Sequence, residues 1–151
     1  LLHRGEYNTA APIRATQLQE LDVSAAHGLE RLIFEVFGAD RVSAYRDICD
    51  RKGTYQLLGE DINLFNKGVF ASVVSDQRAM ETVNSLWRTN AYIADPYAAL
   101  SCAALQDYRA KTGESRMTLV LSERSPMLFA EDICQITGIT PGQLKEQVDK
   151  G

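Results

Sequence analysis

Apolar and polar positions along this chain recur mostly with helical spacing, and capping residues separate one helical segment from the next. The first segment with a clear helical period has apolar residues at positions 29, 32, 33, 36 and 37. It predicts a helix that is capped by Ser24 and ended by Gly38. Asp40 is expected to cap a second helix, which ends near Gly53, and Ser75 a third, whose apolar stripe includes positions 79, 80, 83, 86 and 87. Most of the chain from 24 to 90 is therefore expected to be helical.

The pattern is weaker between these helices. Residues 1–22 show no sustained period and allow a short strand and a loop. Residues 54–58 are expected to be extended, and residues 60–66 to form a brief helical turn. Residues 69–74 are as consistent with a strand as with a segment that links two helices.

The stretch that begins at Asp95 is the most informative. Asp95 can accept backbone N–H bonds as an N-cap, Pro96 suits the first helical position, and Gly113 is a plausible end of the alanine-rich helix that follows. Residues 117–121 are a short apolar run of the kind expected for a strand buried on both faces. The loop 122–126 leads from that strand into another helix. Open α/β sheets hold ligands in loops placed like this one.

Two further signals define the C-terminal end. Apolar residues between 128 and 136 predict a helix that stops at Gly138. Thr140 and Gln143 then form a capping box, with Pro141 at the first position of the last helix.

Composition and charge exclude several classes of function. With 151 residues, 45% of them hydrophobic, the chain can bury the core of one ordinary domain. A net charge of -4 argues against nucleic-acid binding, which relies on clustered Lys and Arg. No apolar run approaches the roughly 20 residues that span a bilayer, and no signal peptide is visible. Because the first residue is Leu1, not Met, the sequence is expected to be an excised or tag-cleaved segment, although processing could also have removed the Met.

The cysteines indicate a reducing compartment. Cys49, Cys102 and Cys134 lack paired or CxxC spacing, and each lies on the apolar side of a predicted helix. We therefore expect no disulfide, no metal site and a cytoplasmic protein.

Two blocks of the sequence resemble the C-terminal region of pyridoxal-phosphate-dependent threonine synthase. One is Asp95-Pro96 with the small-residue helix, the apolar run, and the loop that ends in Pro126 and Phe129; the family has Asp-Pro-His-Thr-Ala-Val-Gly and Thr-Ala-His-Pro-Ala-Lys-Phe here. The other, Leu29-Glu-Arg-Leu-Ile-Phe-Glu-Val-Phe-Gly, is similar to the family's Phe/Leu-Glu-Arg-Leu-Leu-Phe-Asp-Leu-Phe-Gly. The blocks have the family's order and separation.

The resemblance implies an α/β fold. It would be a helix-rich segment of the fold type II pyridoxal-phosphate (tryptophan synthase beta-like) architecture, with a helical insertion and a few strands. A single threonine synthase-like C-terminal domain would cover residues 1–151. Within it, residues 24–90 would be the helical insertion, and residues 91–151 a helix–strand–helix unit that returns to the sheet of the cofactor domain.

Most polar positions of the family are replaced in this chain. Tyr97 and Ala98 stand where the family has His-Thr, Gly28 where Asn precedes Glu-Arg, and Glu123-Arg124-Ser125 where the family has Thr-Ala-His. The resemblance places Glu123 and Ser125 on the cofactor side, and Tyr97, His27 and Arg31 on the substrate side.

Each of these residues also has a simpler interpretation. Glu123 at the family's Thr position could hold the pyridine nitrogen protonated, but a solvated pair with Arg124 is favoured. His27 has no nearby carboxylate or cysteine partner in the sequence, which is typical of a structural histidine. Arg31 is most simply an exposed or interface charge, although it would suit a phosphorylated substrate.

No lysine of the chain has the setting of a Schiff-base lysine, which must be desolvated to act as a nucleophile. All five lie beside glycine or at predicted helix ends, and none follows the family's Ser-Phe-Lys pattern: Lys52, Lys67, Lys111, Lys145 and Lys150. The glycine-rich phosphate loop is missing as well. We therefore expect no catalytic residue in this chain and no binding of pyridoxal phosphate by the chain alone.

Two functions follow as hypotheses. The chain could be the C-terminal part of an enzyme that converts O-phospho-L-homoserine to L-threonine and phosphate. That enzyme would need a lysine-bearing cofactor domain, in cis or in trans. The alternative is a noncatalytic binding or regulatory module derived from threonine synthase.

Overall fold

The computed structural model describes residues 1, 3–26, 28–122 and 124–150. They pack as two compact units, Leu1–Ala71 and Ser72–Gly151. The sequence assigned the helix that follows Ser75 to the helical insertion at residues 24–90. In the structure this helix packs within the second unit.

The first unit combines a two-stranded sheet with three helices. The strands β1 (Glu6–Asn8) and β2 (Thr54–Gln56) pair antiparallel, with Tyr7 opposite Tyr55. The helices are α1 (Leu29–Phe37), α2 (Ala39–Lys52) and α3 (Gly59–Phe65). One buried apolar cluster joins these elements and contains Ile33, Tyr45, Tyr55, Leu57 and Phe65.

All the regular secondary structure in the described part of the second unit is helical. It consists of α4 (Asp76–Asn90), α5 (Pro96–Thr112), a 3₁₀ turn (Pro126–Phe129), α6 (Ala130–Thr137) and α7 (Pro141–Lys150). Helix α4 packs against both α5 and α6. The core of the second unit contains Val83, Ile93, Ala99, Ile133 and Leu144. No helix within the described residues is long and apolar enough to cross a membrane.

The predicted helix ends are largely confirmed. Ser75 and Asp95 are N-caps whose side chains accept backbone N–H bonds, and Thr140 and Gln143 form the capping box. Helices α1, α2, α5 and α6 end where the sequence placed Gly38, Gly53, Gly113 and Gly138. All four glycines have positive φ, a conformation that glycine adopts without steric cost.

Two predicted helix starts are wrong. Helix α1 begins at Leu29 with Gly28 as its N-cap, not at Ser24, because the backbone before it is held elsewhere: the amide of Ala26 donates to the hydroxyl of Tyr7. Helix α2 follows directly on Gly38, so Asp40 lies inside its first turn instead of capping it.

The predicted buried strand at 117–121 is also wrong for the chain as it stands. Residues 113–122 belong to no helix or strand, and Met117, Leu119 and Leu121 are 100%, 84% and 73% exposed. A strand buried on both faces needs neighbouring strands. Among the described residues, the only strand pair is β1 with β2, so none pairs with this run.

Candidate functional site

Asp95 connects the start of α5 to the loop predicted to face the cofactor. The residue is fully buried, and its Oδ1 accepts the backbone N–H groups of Tyr97 at 2.9 Å and Ala98 at 3.1 Å. Its Oδ2 accepts the hydroxyl of Ser122 at 2.5 Å. The carboxylate therefore both begins the helix and holds residue 122, the first residue of that loop.

Tyr97 and Ser125, two of the predicted site residues, belong to this same region. The hydroxyl of Ser125 accepts the backbone N–H of Met127 at 3.3 Å and begins the 3₁₀ turn. Phe129 ends that turn, and its ring meets Tyr97 edge-on, with centroids 5.8 Å apart. Both residues thus take part in the local structure around the loop.

A cavity of about 330 Å³ opens beside the same loop. Ser122 and Pro126 line it from the loop, and Tyr92 and Ile93 from the segment before α5. Lys150, at the end of α7, also lines the cavity and forms an ion pair with Glu146, with 2.6 Å between Nζ and Oε1. This cavity is the candidate functional pocket of the second unit.

Of the other predicted site residues, only Arg31 can be placed, and it lies elsewhere. Arg31 is exposed on α1, in the first unit, and its neighbour Glu30 pairs with Arg46 instead. His27 and Glu123 are outside the described residues, so their predicted roles stay predictions.

The lysines have the environment that the sequence predicted. All five are exposed, which leaves their amines hydrated. Among the described residues, no group of three or more His, Cys, Asp or Glu side chains is placed to hold a metal ion.

The sequence did not reveal the polar contacts that hold the second unit together. Ser122 and Asp95 are 27 residues apart, and nothing in the local pattern pairs them. Arg78 on α4 and Asp107 on α5 form a bidentate ion pair, with N–O distances of 2.9 and 2.6 Å. The Arg78 guanidinium and the Ser72 hydroxyl hold the pKa of Asp107 at about 2.

Curated proteins similar to this chain carry one name. The mouse protein Threonine synthase-like 2 is 22% identical over 142 residues, which cover 93% of this chain and 29% of that protein. Its rat counterpart is 21% identical over 146 residues, with the same coverage. No protein-family model matches the chain.

Solved structures show the same relationship. The pyridoxal-phosphate-bound threonine synthase from Brucella melitensis superposes with a TM-score of 0.76 at 20% identity, over 98% of this chain and 32% of that one. The yeast threonine synthase also gives 0.76, at 18% identity, over 99% of this chain and 34% of that one.

These matches define the fold as a helix-rich segment of the fold type II architecture, as the sequence predicted. The chain spans about a third of the length of the proteins it matches. The chain is similar to a C-terminal segment of the threonine synthase-like proteins, which confirms the predicted resemblance.

Proposed function

We propose that this chain is the C-terminal part of a threonine synthase-like enzyme and completes an active site whose lysine lies in another part. The observation that carries the proposal is the exposed apolar run at 117–121, in a fold that covers about a third of the matched structures. Apolar runs of this kind are normally buried in a sheet. The missing two thirds of the fold would supply the neighbouring strands.

Both ends of this run are held against α5. At its start, Arg109 on α5 donates to the backbone carbonyl of Arg116 at 3.0 Å. At its end, Ser122 donates to Asp95. The backbone between them is therefore presented with its ends positioned, as a strand that is added to the edge of another sheet needs to be.

The chain's own residues do not fit a complete cofactor site. Pyridoxal phosphate is held by a desolvated lysine and a phosphate-binding loop, and the five lysines here are exposed. The lysine-bearing part, in cis or in trans, would supply both groups. Ser122 and the cavity that it lines would form one wall of the shared site, with Tyr97 at the start of α5 nearby in the chain.

The reaction we assign to the assembled enzyme is the one that the resemblance implies. O-phospho-L-homoserine and water would give L-threonine and inorganic phosphate. The mouse and rat relatives are named threonine synthase-like, and this substrate is proposed on that basis alone.

A noncatalytic module is the second candidate, and the site itself supports it. Ser125 acts as a cap, and Tyr97 packs against Phe129, at positions where the family has polar histidines. A module that kept the scaffold after losing its active site would have these features.

The deciding experiment joins the chain to the sequence encoded upstream of it and measures phosphate release from O-phospho-L-homoserine. An enzyme part requires an upstream lysine in a Ser-Phe-Lys setting and turnover only in the joined protein. Turnover by the 151-residue chain alone would contradict the proposal. An upstream part without that lysine would select the noncatalytic module.

The role of the apolar run is tested with Leu119→Asp. A charge buried between strands costs several kcal/mol, so we expect phosphate release by the joined protein to fall at least about tenfold. Val73→Asp is the matched control, since Val73 is 89% exposed and outside the run. Equal activity of the two variants would show that the run has no partner strand.

A further inference from the structure

The first unit contains a separate cavity of about 220 Å³ with an aromatic wall. Tyr7 on β1 and Tyr55 on β2 have ring centroids 5.0 Å apart, and Tyr45 stacks on Tyr55 at 4.9 Å. Aliphatic side chains complete the apolar lining: Leu29, Ile33 and Val42. An apolar cavity of about 150 Å³ holds benzene, so this one has room for a single ring with a short substituent.

The hydroxyl of Tyr55 has no hydrogen-bond partner among the described residues, although the residue is only 6% exposed. Its neighbours differ in this respect: Tyr45 donates to Asp61 at 3.1 Å, and Tyr7 accepts the amide of Ala26 at 2.8 Å. In the described part of the chain, every fully enclosed polar side-chain atom has a partner. The hydroxyl of Tyr55 is therefore at least partly accessible, and Tyr55 lines the cavity.

An accessible hydroxyl that lines a cavity and has no partner among the described residues can hydrogen-bond a polar group of a ligand. Burial raises the pKa of Tyr55 well above 10. The group thus stays neutral and can either donate or accept a hydrogen bond.

The charged residues that line the cavity favour a cation. Glu30 and Arg46 form a two-pronged ion pair, with N–O distances of 3.1 and 2.5 Å, and largely neutralise each other. Asp50 is exposed and has no ion-pair or hydrogen-bond partner among the described residues. The described residues of the lining therefore carry one carboxylate in excess, and the tyrosine rings also attract cations.

We propose that the Tyr7–Tyr55–Asp50 cavity binds a small primary amine with a ring-sized apolar body. The ring would pack against the tyrosines and aliphatic side chains, the hydroxyl of Tyr55 would hydrogen-bond the ligand, and the ammonium group would lie near Asp50. This site belongs to the first unit and does not depend on the proposed threonine synthase role.

The test uses three probes that share one body and differ in charge: phenethylamine, 2-phenylethanol and 3-phenylpropionate. Each is titrated into the 151-residue chain, and binding is followed by NMR chemical shifts. We expect the amine to bind most tightly and the carboxylate least. Equal binding of amine and alcohol, or no amine binding up to about 10 mM, would overturn the proposal.

Two substitutions separate the charge from the hydroxyl. Asp50→Asn should weaken amine binding about two- to fivefold and leave the alcohol unchanged. Asp47→Asn is the matched control, since it removes the same charge from an exposed position on the same helix. Asp47 does not line the cavity. Tyr55→Phe keeps the ring and should weaken amine binding about two- to tenfold. If Asp47→Asn has the same effect as Asp50→Asn, the charge acts only at long range and the assigned site is wrong.

The cysteines locate the bound amine. Cys49 lines the cavity, whereas Cys102 and Cys134 lie in the second unit. Bound phenethylamine should slow alkylation of Cys49 alone. If all three cysteines, or none, are protected, the amine does not occupy this cavity.

Discussion

At the scale of single residues, Asp107 has a strongly lowered pKa, so its ionisation is linked to folding. Its carboxylate oxygens accept hydrogen bonds from Arg78 and Ser72. These two side chains hold the pKa of Asp107 at about 2, below the usual 3.8. A carboxylate with a lowered pKa stabilises the folded chain above its unfolded pKa, and this contribution is lost as the pH falls through the folded pKa. The relevant window is therefore between about pH 4 and pH 2.

This predicts how Asp107→Asn behaves in acid. Near about pH 5 the variant should be less stable than the unsubstituted chain, and the difference should shrink as the pH falls towards about 2. Urea unfolding at a series of pH values measures it. Asp132→Asn, an exposed change on α6 in the same unit, should show no such narrowing. A difference for Asp107→Asn that is constant with pH would contradict the linkage.

At the scale of elements, α5 shows why small residues were informative. Its alanines predicted close packing, and the structure confirms it: Ala99 and Ala103 are fully buried, and α5 packs against α4. The caps were equally predictable, because Asp95, Ser75 and the Thr140–Gln143 box act on backbone groups within three residues.

The packing of α5 can be tested by filling it. Ala99→Leu adds side-chain volume next to Val83 and Ile133 in a closed core, so it should reduce the free energy of unfolding by about 1–3 kcal/mol. Ala110→Leu is the control on the same helix at an exposed position, where the change should stay within about 0.5 kcal/mol. Denaturant unfolding measures both. Equal effects would mean that α5 has free space beside Ala99.

The elements that the sequence missed depend on distant partners. The run 117–121 has the composition of a buried strand, yet no strand of the described residues pairs with it. Helix α1 starts late because Tyr7, nineteen residues away, binds the amide of Ala26. Neither the missing partner strand nor the Tyr7–Ala26 hydrogen bond leaves a signal in a local window of sequence.

At the scale of the whole molecule, the chain matches about a third of the threonine synthase fold, and its five lysines are exposed. We expect pyridoxal phosphate and borohydride to modify the five exposed lysines weakly and without saturation. Peptide mapping by mass spectrometry measures this, with the Brucella melitensis threonine synthase as the positive control. Stoichiometric modification of one lysine would show that this chain holds the cofactor itself.

The candidate site was only partly predictable for a related reason. Tyr97 and Ser125 were identified from their positions in a resembling motif, and the structure places both around the loop that follows Ser122. Ser122, the ion pair of Arg78 with Asp107, and the cavity beside Tyr55 were not predicted. Their members come from separate elements, and only packing brings them together.

The sequence by itself determined where most helices end, which helix packs closely and which family the chain resembles, because capping, glycine conformations and apolar spacing act within a few residues. Only the tertiary structure decided that the chain forms two compact units, that Met117, Leu119 and Leu121 stay exposed and that Tyr55 lines a cavity. Burial and long-range hydrogen bonds depend on which elements are present to pack, and a local pattern does not contain that information.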